Sequence, residues 1–288
     1  MQLYANIFAY KITPSKGYQS KYIKILDAKE LNFSDVHELS GLAYEDDTLY
    51  ALSDRGILYL FNLNILHNKI ENLSLCESYR LRDKKSQLFK KKKRDSEGLV
   101  FYKDGFLISF EGKNRILYCS RKGQKIKNIS LPKSLQNDAL YVSKNKGLES
   151  VAYSKEYGII TAPELPLKNS SQKYHTLYSK KQVWKFIAQG AITDICFIDR
   201  DRVLVLLREF SYLTQRRVSS LVIVNLKEKD EKNYAKTELL VKMDSADGWK
   251  IDNFEGLTKV GKKRFLMVSD DNDSFFQKTL LVLFEIKN

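Results

Sequence analysis

Apolar positions in this chain fall into short runs bounded by Gly, Asn, Asp and Lys, and a helical period is scarce. Thr48-Leu49-Tyr50-Ala51-Leu52-Ser53, Gly105-Phe106-Leu107-Ile108-Ser109-Phe110, Arg202-Val203-Leu204-Val205-Leu206-Leu207 and Arg264-Phe265-Leu266-Met267-Val268 are representative. Runs this short, apolar at consecutive positions, predict buried strands. Many such strands at close spacing predict an all-β fold, and the spacing itself repeats.

The repeat is carried by Leu39-Ser40-Gly41-Leu42-Ala43-Tyr44, Ser96-Glu97-Gly98-Leu99-Val100-Phe101, Leu148-Glu149-Ser150-Val151-Ala152-Tyr153 and Phe254-Glu255-Gly256-Leu257-Thr258. Ile192-Thr193-Asp194-Ile195-Cys196-Phe197 is a looser fifth copy. Ser40, Glu97, Glu149, Thr193 and Glu255 are its pivots. A second strand follows each pivot and ends in an acid, Asp54, Glu111, Glu164, Glu209 or Asp270, 14 to 16 residues later. This pattern predicts a β-propeller of five or six blades, because a small antiparallel sheet buries both faces only by radial packing against its neighbours. The last copy has room for three strands. A fourth, Lys21-Tyr22-Ile23-Lys24-Ile25-Leu26, is expected to come from the N-terminal region and close the ring. Residues 1–20 leave room for a sixth, degenerate blade. Arg80 to Asp95, with its Lys90–Arg94 run, reads as a solvated loop, and Pro132 to Lys146 as a stretch able to hold a short helical turn. Repeat copies flank both, so residues 1–288 are read as one domain.

Composition narrows the alternatives. Of 288 residues 43% are apolar and 29% charged, enough for a buried core and unlike a disordered chain. Seventeen Tyr and fifteen Phe against three Met favour β-structure. Cys76, Cys119 and Cys196 are too far apart in sequence for a legible disulfide framework or CxxC metal site. No run approaches ~20 apolar residues, so no transmembrane segment is expected, and the first residues lack a basic region followed by a long apolar one. The formal charge is +14, from 49 Lys and Arg against 35 Asp and Glu. Such an excess attracts nucleic acid, an anionic membrane or an anionic small molecule. Because most of the lysines fall in turns and loops without interleaved aromatics, a nucleic-acid partner is not expected and an anionic small-molecule substrate is.

At the repeat residues the chain resembles the phytase-like propeller family, described as "esterase-like activity of phytase". The matching segments run in order: Ser40-Gly41-Leu42, Ser53-Asp54-Arg55-Gly56, Asp95-Ser96-Glu97-Gly98, Asn145-Lys146-Gly147-Leu148-Glu149, Glu164-Leu165-Pro166-Leu167, Ile192-Thr193-Asp194, Arg208-Glu209-Phe210-Ser211, Asp252-Asn253-Phe254-Glu255-Gly256-Leu257 and Ser269-Asp270-Asp271-Asn272. The resemblance implies a propeller, hydrolysis of a phosphate ester or similar ester, and an exported, often periplasmic, protein.

In a propeller the start of each first strand and the end of each second strand meet at one rim. That geometry gathers Asp54, Glu97, Glu111, Glu149, Glu164, Glu209, Glu255 and Asp270, with Asp194 expected to join them. So many carboxylates cannot all stay ionised at close quarters without protons, arginine partners or a hard cation. The arginines next in sequence are Arg55, Arg115 and Arg208. Oxygen-only donors point to Ca²⁺ or Mg²⁺. If Ca²⁺ binds, Glu149, Glu255 and Asp270 are the candidate catalytic carboxylates, and Arg55 and Arg208 the candidate holders of substrate phosphate. The rival reading is a non-enzymatic propeller that binds a ligand or protein, its acids capping strand ends and pairing with arginine. Asp270-Asp271-Asn272-Asp273-Ser274 offers alternate oxygens but lacks the glycine and distant Glu of an EF-hand. No GxSxG is present. His37, His67 and His175 show no metal spacing, and Gly256-x4-Gly261-Lys262-Lys263 fails as a P-loop because no helix follows it.

Overall fold

Successive side chains of a strand point to opposite faces, and a run that is apolar throughout needs a packing partner on each. The structure, a computed structural model that describes residues 6–271, 274 and 277–287, supplies both. The strands are β1 (Ile7–Ala9), β2 (Ile23–Leu31), β3 (Leu39–Glu45), β4 (Thr48–Ser53), β5 (Ile57–Leu66), β6 (Lys69–Arg80), β7 (Ser96–Tyr102), β8 (Gly105–Phe110), β9 (Arg115–Ser120) and β10 (Lys125–Ile129). They continue with β11 (Leu148–Ser154), β12 (Gly158–Pro163), β13 (His175–Tyr178), β14 (Val183–Phe186), β15 (Ala191–Phe197), β16 (Arg202–Ser211), β17 (Arg216–Lys229), β18 (Ala235–Asp244), β19 (Asn253–Lys259), β20 (Arg264–Asp270) and β21 (Leu280–Ile286). Blades I to IV are the consecutive antiparallel sheets β3–β6, β7–β10, β11–β14 and β15–β18. Blade V is ordered β19-β20-β21-β2-β1, so both ends of the chain meet in one sheet. Among the described residues no sixth blade is formed: β1 pairs antiparallel on the outer edge of β2. Among the described residues the helical content is four short 3₁₀ turns, two of them between Pro132 and Lys146, and no helix is long and apolar enough to cross a membrane.

The core consists of five apolar clusters, each shared by two neighbouring blades. Leu204 and Leu206 of β16 pack toward blade V, while Val203, Val205 and Leu207 pack toward blade III. Phe106, Ile108 and Phe110 of β8 likewise face blade I, and Leu107 faces blade III. Burial of both faces is why these strands lack the usual alternation of apolar and polar residues. Cys76, Cys119 and Cys196 are free thiols.

Each first strand carries a bulge at its pivot. The pairing register slips between Leu39 and Gly41, Ser96 and Leu99, Leu148 and Ser150, Ile192 and Asp194, and Phe254 and Gly256. Near the axis the first strands are so close that a Cβ at Gly41 would lie 2.5 Å from the Glu97 carbonyl oxygen. At Gly98 it would lie 2.7 Å from the Val151 amide nitrogen. Polar contacts tie the blades there. Ser40 Oγ donates to the Ser96 carbonyl at 2.7 Å, Ser109 Oγ to the Glu149 carbonyl at 2.9 Å, and Thr193 Oγ1 to the Phe254 carbonyl at 3.1 Å.

Asp194 belongs to this set of ties rather than to the acidic rim. Its carboxylate accepts from the Leu257 amide of blade V at 2.7 Å and from the Ile195 amide of its own bulge at 2.8 Å. It is 1% exposed. Removing it leaves two buried amides unpaired, each costing about 1–3 kcal/mol. Asp194→Ala is therefore expected to lower stability by about 2–6 kcal/mol, read as the midpoint of chemical denaturation. An unchanged midpoint would contradict the tie.

Candidate functional site

A bulge adds one residue to a strand and re-aims its side chain. Repeated in every blade, it turns the pivots toward the end of the channel where the first strands begin and the second strands stop. A mouth cavity of about 150 Å³ opens there. Nine carboxylates line it, those of Glu38, Asp54, Asp95, Glu97, Glu111, Glu149, Glu164, Glu255 and Asp270, against two cationic side chains, Lys146 and Arg208. Seven of the eight acids expected at the rim are thus brought together.

Glu209 is not among them. The residues one past the partners of Leu39, Ser96, Leu148, Ile192 and Phe254 are Asp54, Glu111, Glu164, Arg208 and Asp270. Blade IV therefore places Arg208 where the other four place an acid. Glu209 points elsewhere, with Oε1 3.7 Å from Lys242 Nζ. Arg208 spans the cavity wall, reaching Asn253 Oδ1 at 2.6 Å, Glu164 Oε1 at 3.3 Å and the Glu255 carboxylate. Lys146 adds a second cation at 2.6 Å from Glu164 Oε1. The Glu255 attraction holds the Arg208 guanidinium charged more firmly than usual.

Two of the pivot carboxylates are left without a paired cation among the described residues. Glu97 is 8% exposed and Glu149 7%, and among the described residues neither carboxylate has a hydrogen-bond or ion-pair partner. Burial, reinforced by Glu111 for Glu97 and by Glu97 for Glu149, pushes both well above the usual carboxylate range. Asp54 and Glu111 are pushed up to about 7. Burial is the main cause for each, with Glu38 and Asp95 adding to Asp54, while the Gly147 amide at 3.1 Å partly offsets it for Glu111. Asp54 Oδ1 is buried with no hydrogen-bond partner among the described residues. Oxygens of Asp95, Glu97 and Glu111 lie within 4.8 Å of one another, close enough to share one ion.

Glu38 and Asp95 were not expected at the mouth, although each stands two residues before its pivot. Glu38 has a left-handed backbone, φ 52°, and its carboxylate pairs with Arg55. Arg55 lines a second cavity of about 370 Å³ that shares Glu38, Asp54 and Asp95 with the mouth. Lys91 and Arg94 complete its wall, so the basic run borders the acidic mouth instead of lying apart from it. Arg115 makes no ion pair with an acid of the mouth among the described residues, although its charge acts on Asp95. It lies 4.0 Å over the Phe110 ring and donates to the Lys93 and Lys113 carbonyls. Its burial lowers its pKa to about 10. His37 rests against the Ser34 carbonyl at 2.9 Å and Asp271 at 3.6 Å. Asn272 and Asp273 lie outside the described residues.

Comparison with known proteins adds a family and a fold. No curated protein matches the chain. Among solved structures, the glutaminyl cyclase of Myxococcus xanthus shares 10% identity, with 94% of this chain and 100% of that one covered and a TM-score of 0.50. Sqt1 of Saccharomyces cerevisiae shares 11%, over 89% of this chain and 74% of that one, with a TM-score of 0.41. The likeness to the cyclase is one of fold alone. Residues 34–273 match the phytase-like family described as "Esterase-like activity of phytase", a span that runs from just before blade I into the loop after β20 and leaves out β1, β2 and β21. The chain is a member of this phytase-like family.

Proposed function

We propose that this protein hydrolyses a phosphate ester, or a similar anionic ester, at the acidic mouth with the help of a divalent cation. The observation that carries the proposal is the pair of partnerless carboxylates, Glu97 and Glu149, buried among acids that outnumber the local cations. Buried acids in this state either keep protons or hold a metal. An all-oxygen donor set suits Ca²⁺. Asp95, Glu97 and Glu111 would hold it, with Asp54 and Glu149 nearest in chemistry and Glu164, Glu255 and Asp270 around them. When bound, the ion supplies the positive charge that polarises a phosphoryl oxygen and makes a water more acidic.

The side chains divide the remaining work. Arg55, Lys91 and Arg94 form a cationic wall beside the carboxylates, suited to the rest of the phosphate charge. Arg208 is engaged with Glu164, Glu255 and Asn253. It is assigned here to positioning those groups rather than to gripping substrate. Glu149, whose carboxyl burial pushes well above the usual range, is the candidate for proton transfer, because a raised pKa moves a carboxyl toward the range in which acid–base catalysis works. Glu255 and Asp270 close the opposite side of the cavity.

Two outcomes follow. Hydrolysis of a phosphomonoester screen is expected to stop in EDTA and return with Ca²⁺. Glu97→Gln and Glu149→Gln are each expected to weaken Ca²⁺ binding by at least about tenfold, the scale seen on losing even an outer-shell partner. Full activity in EDTA, or Ca²⁺ binding without turnover of any ester, would sink the hydrolase reading. The second outcome concerns pH. Below about pH 3 these carboxyls are protonated whether the chain is folded or not. As pH rises toward 7 the unfolded chain ionises, while Asp54 and Glu111, at about 7, resist. The folded state binds more protons in that window, so without divalent cations the melting temperature is expected to fall between pH 4 and pH 8. Ca²⁺ should restore more of it at pH 7.5 than at pH 5. A metal-free melting temperature that rises across this range would contradict the description of the mouth.

A further inference from the structure

The opposite end of the propeller carries a cavity of reversed charge. It lies where β15 and β19 end and β16 and β20 begin, between blades IV and V, and measures about 490 Å³. Six cationic residues line it, Lys21, Arg202, Lys259, Lys262, Lys263 and Lys287, against two acids, Asp199 and Glu238. Arg202 is neutralised by Asp199 at 2.6 Å. Glu238 acts on Lys21, which also sits 4.6 Å over the Tyr22 ring. Lys259 and Lys287 donate to the Ile198 and Ser20 carbonyls, which orient them without cancelling their charge. The ammonium groups of Lys262 and Lys263 have no hydrogen-bond or ion-pair partner among the described residues. The floor is apolar, formed by Ile198, Ile223, Leu240 and Ile286, each less than a tenth exposed.

Like charges gathered in a concave, low-dielectric site focus the field and concentrate counter-ions. The volume lies within the range of small-molecule sites, about 300–1,000 Å³. It is a recess between two blades rather than an open basic stripe, which favours a compact ligand over a polymer. We infer that this cavity binds a small soluble anion bearing two or more phosphate groups, its charges met by Lys259, Lys262 and Lys263 and any ring or carbon body resting on the apolar floor. The cavity also lies on the ring-closing seam. Lys21 and Lys287 come from the two chain ends that meet in blade V, and Lys259 to Lys263 from the hairpin beside them. A ligand that binds only the folded chain stabilises it, and one seated here would tie the seam directly.

Inorganic tripolyphosphate is the probe, measured by titration calorimetry and thermal melting on the full chain in EDTA, where the acidic mouth holds no metal. Saturable binding and a raised melting temperature are expected. The double variant Lys262→Glu/Lys263→Glu should lose at least tenfold in affinity and most of the melting shift. Lys84→Glu/Lys85→Glu, which makes the same charge change in a distant loop, should stay within twofold of the parent. Circular dichroism and the ligand-free melting curve verify that each variant is folded. Equal losses in both double variants would reduce the effect to net charge. A loss in Arg55→Ala but not in Lys262→Glu/Lys263→Glu would place the anion at the acidic mouth. Binding to phosphatidylglycerol vesicles with none to tripolyphosphate would point to a membrane surface. Any of these results overturns the inference.

Discussion

The axis of a five-bladed ring has little room beyond the backbones of its innermost strands, and the rest of this molecule follows from that crowding. Glycines after the pivots let neighbouring strands approach, and no side chain fits at Gly41 or Gly98 without a shift. The bulge before each glycine sends the displaced pivot side chain toward the mouth. Side chains from all five blades then share one small cavity. What they carry is mostly negative, and burial makes that charge costly.

The two sides of the mouth meet this cost differently. Around Glu164 and Glu255 the protein supplies its own cations, Arg208 and Lys146. Glu97 and Glu149 have no ion-pair partner among the described residues, and burial pushes both carboxyls well above the usual range. A site half neutralised by fixed cations and half left open to a proton or metal can gain and lose charge without rebuilding the fold. Beside the open half stands the cationic wall of Arg55, Lys91 and Arg94. Carboxylates and cationic side chains thus line adjoining cavities, the juxtaposition that the proposed phosphate-ester hydrolysis would use. The net charge of +14 hides this division, because it sums an acidic mouth with a basic remainder that includes the cavity at the far end.

Much of the fold was legible in the sequence because the bulge repeats. Pivot and second-strand end kept nearly constant spacing, and the run near Lys21–Leu26 could be read as the closing strand, found as β2. The blade number was not legible. The third and fourth strands of blades I to IV range from the four residues of β13 and β14 to the fourteen of β17, so the steps between copies do not reveal whether a blade is missing. The mouth was read well where residues sit on strands and poorly elsewhere. Glu38 and Asp95 precede their strands, and Lys146 lies in a loop. Glu209 was chosen for its charge, whereas the spacing of blades III and V points to Arg208, 15 residues after its pivot. A fifth acid in that slot would have faced Glu164 and Glu255 with Lys146 as the sole cation lining the mouth. Asp194 looked like a rim acid, but a short carboxylate beside a bulge is also the natural partner for stranded amides, and that is where it is spent.

The central claim is that Glu97, Glu149 and their neighbours hold protons that a divalent cation displaces. Calorimetric titration of Ca²⁺ into the metal-free protein at pH 7, repeated in buffers of different ionisation enthalpy, counts the protons released. The account predicts release of about one or more protons per ion bound, since metal ligands must deprotonate, and a smaller release in Glu97→Gln/Glu149→Gln. Ca²⁺ binding with no proton release, or no binding at all, would contradict it.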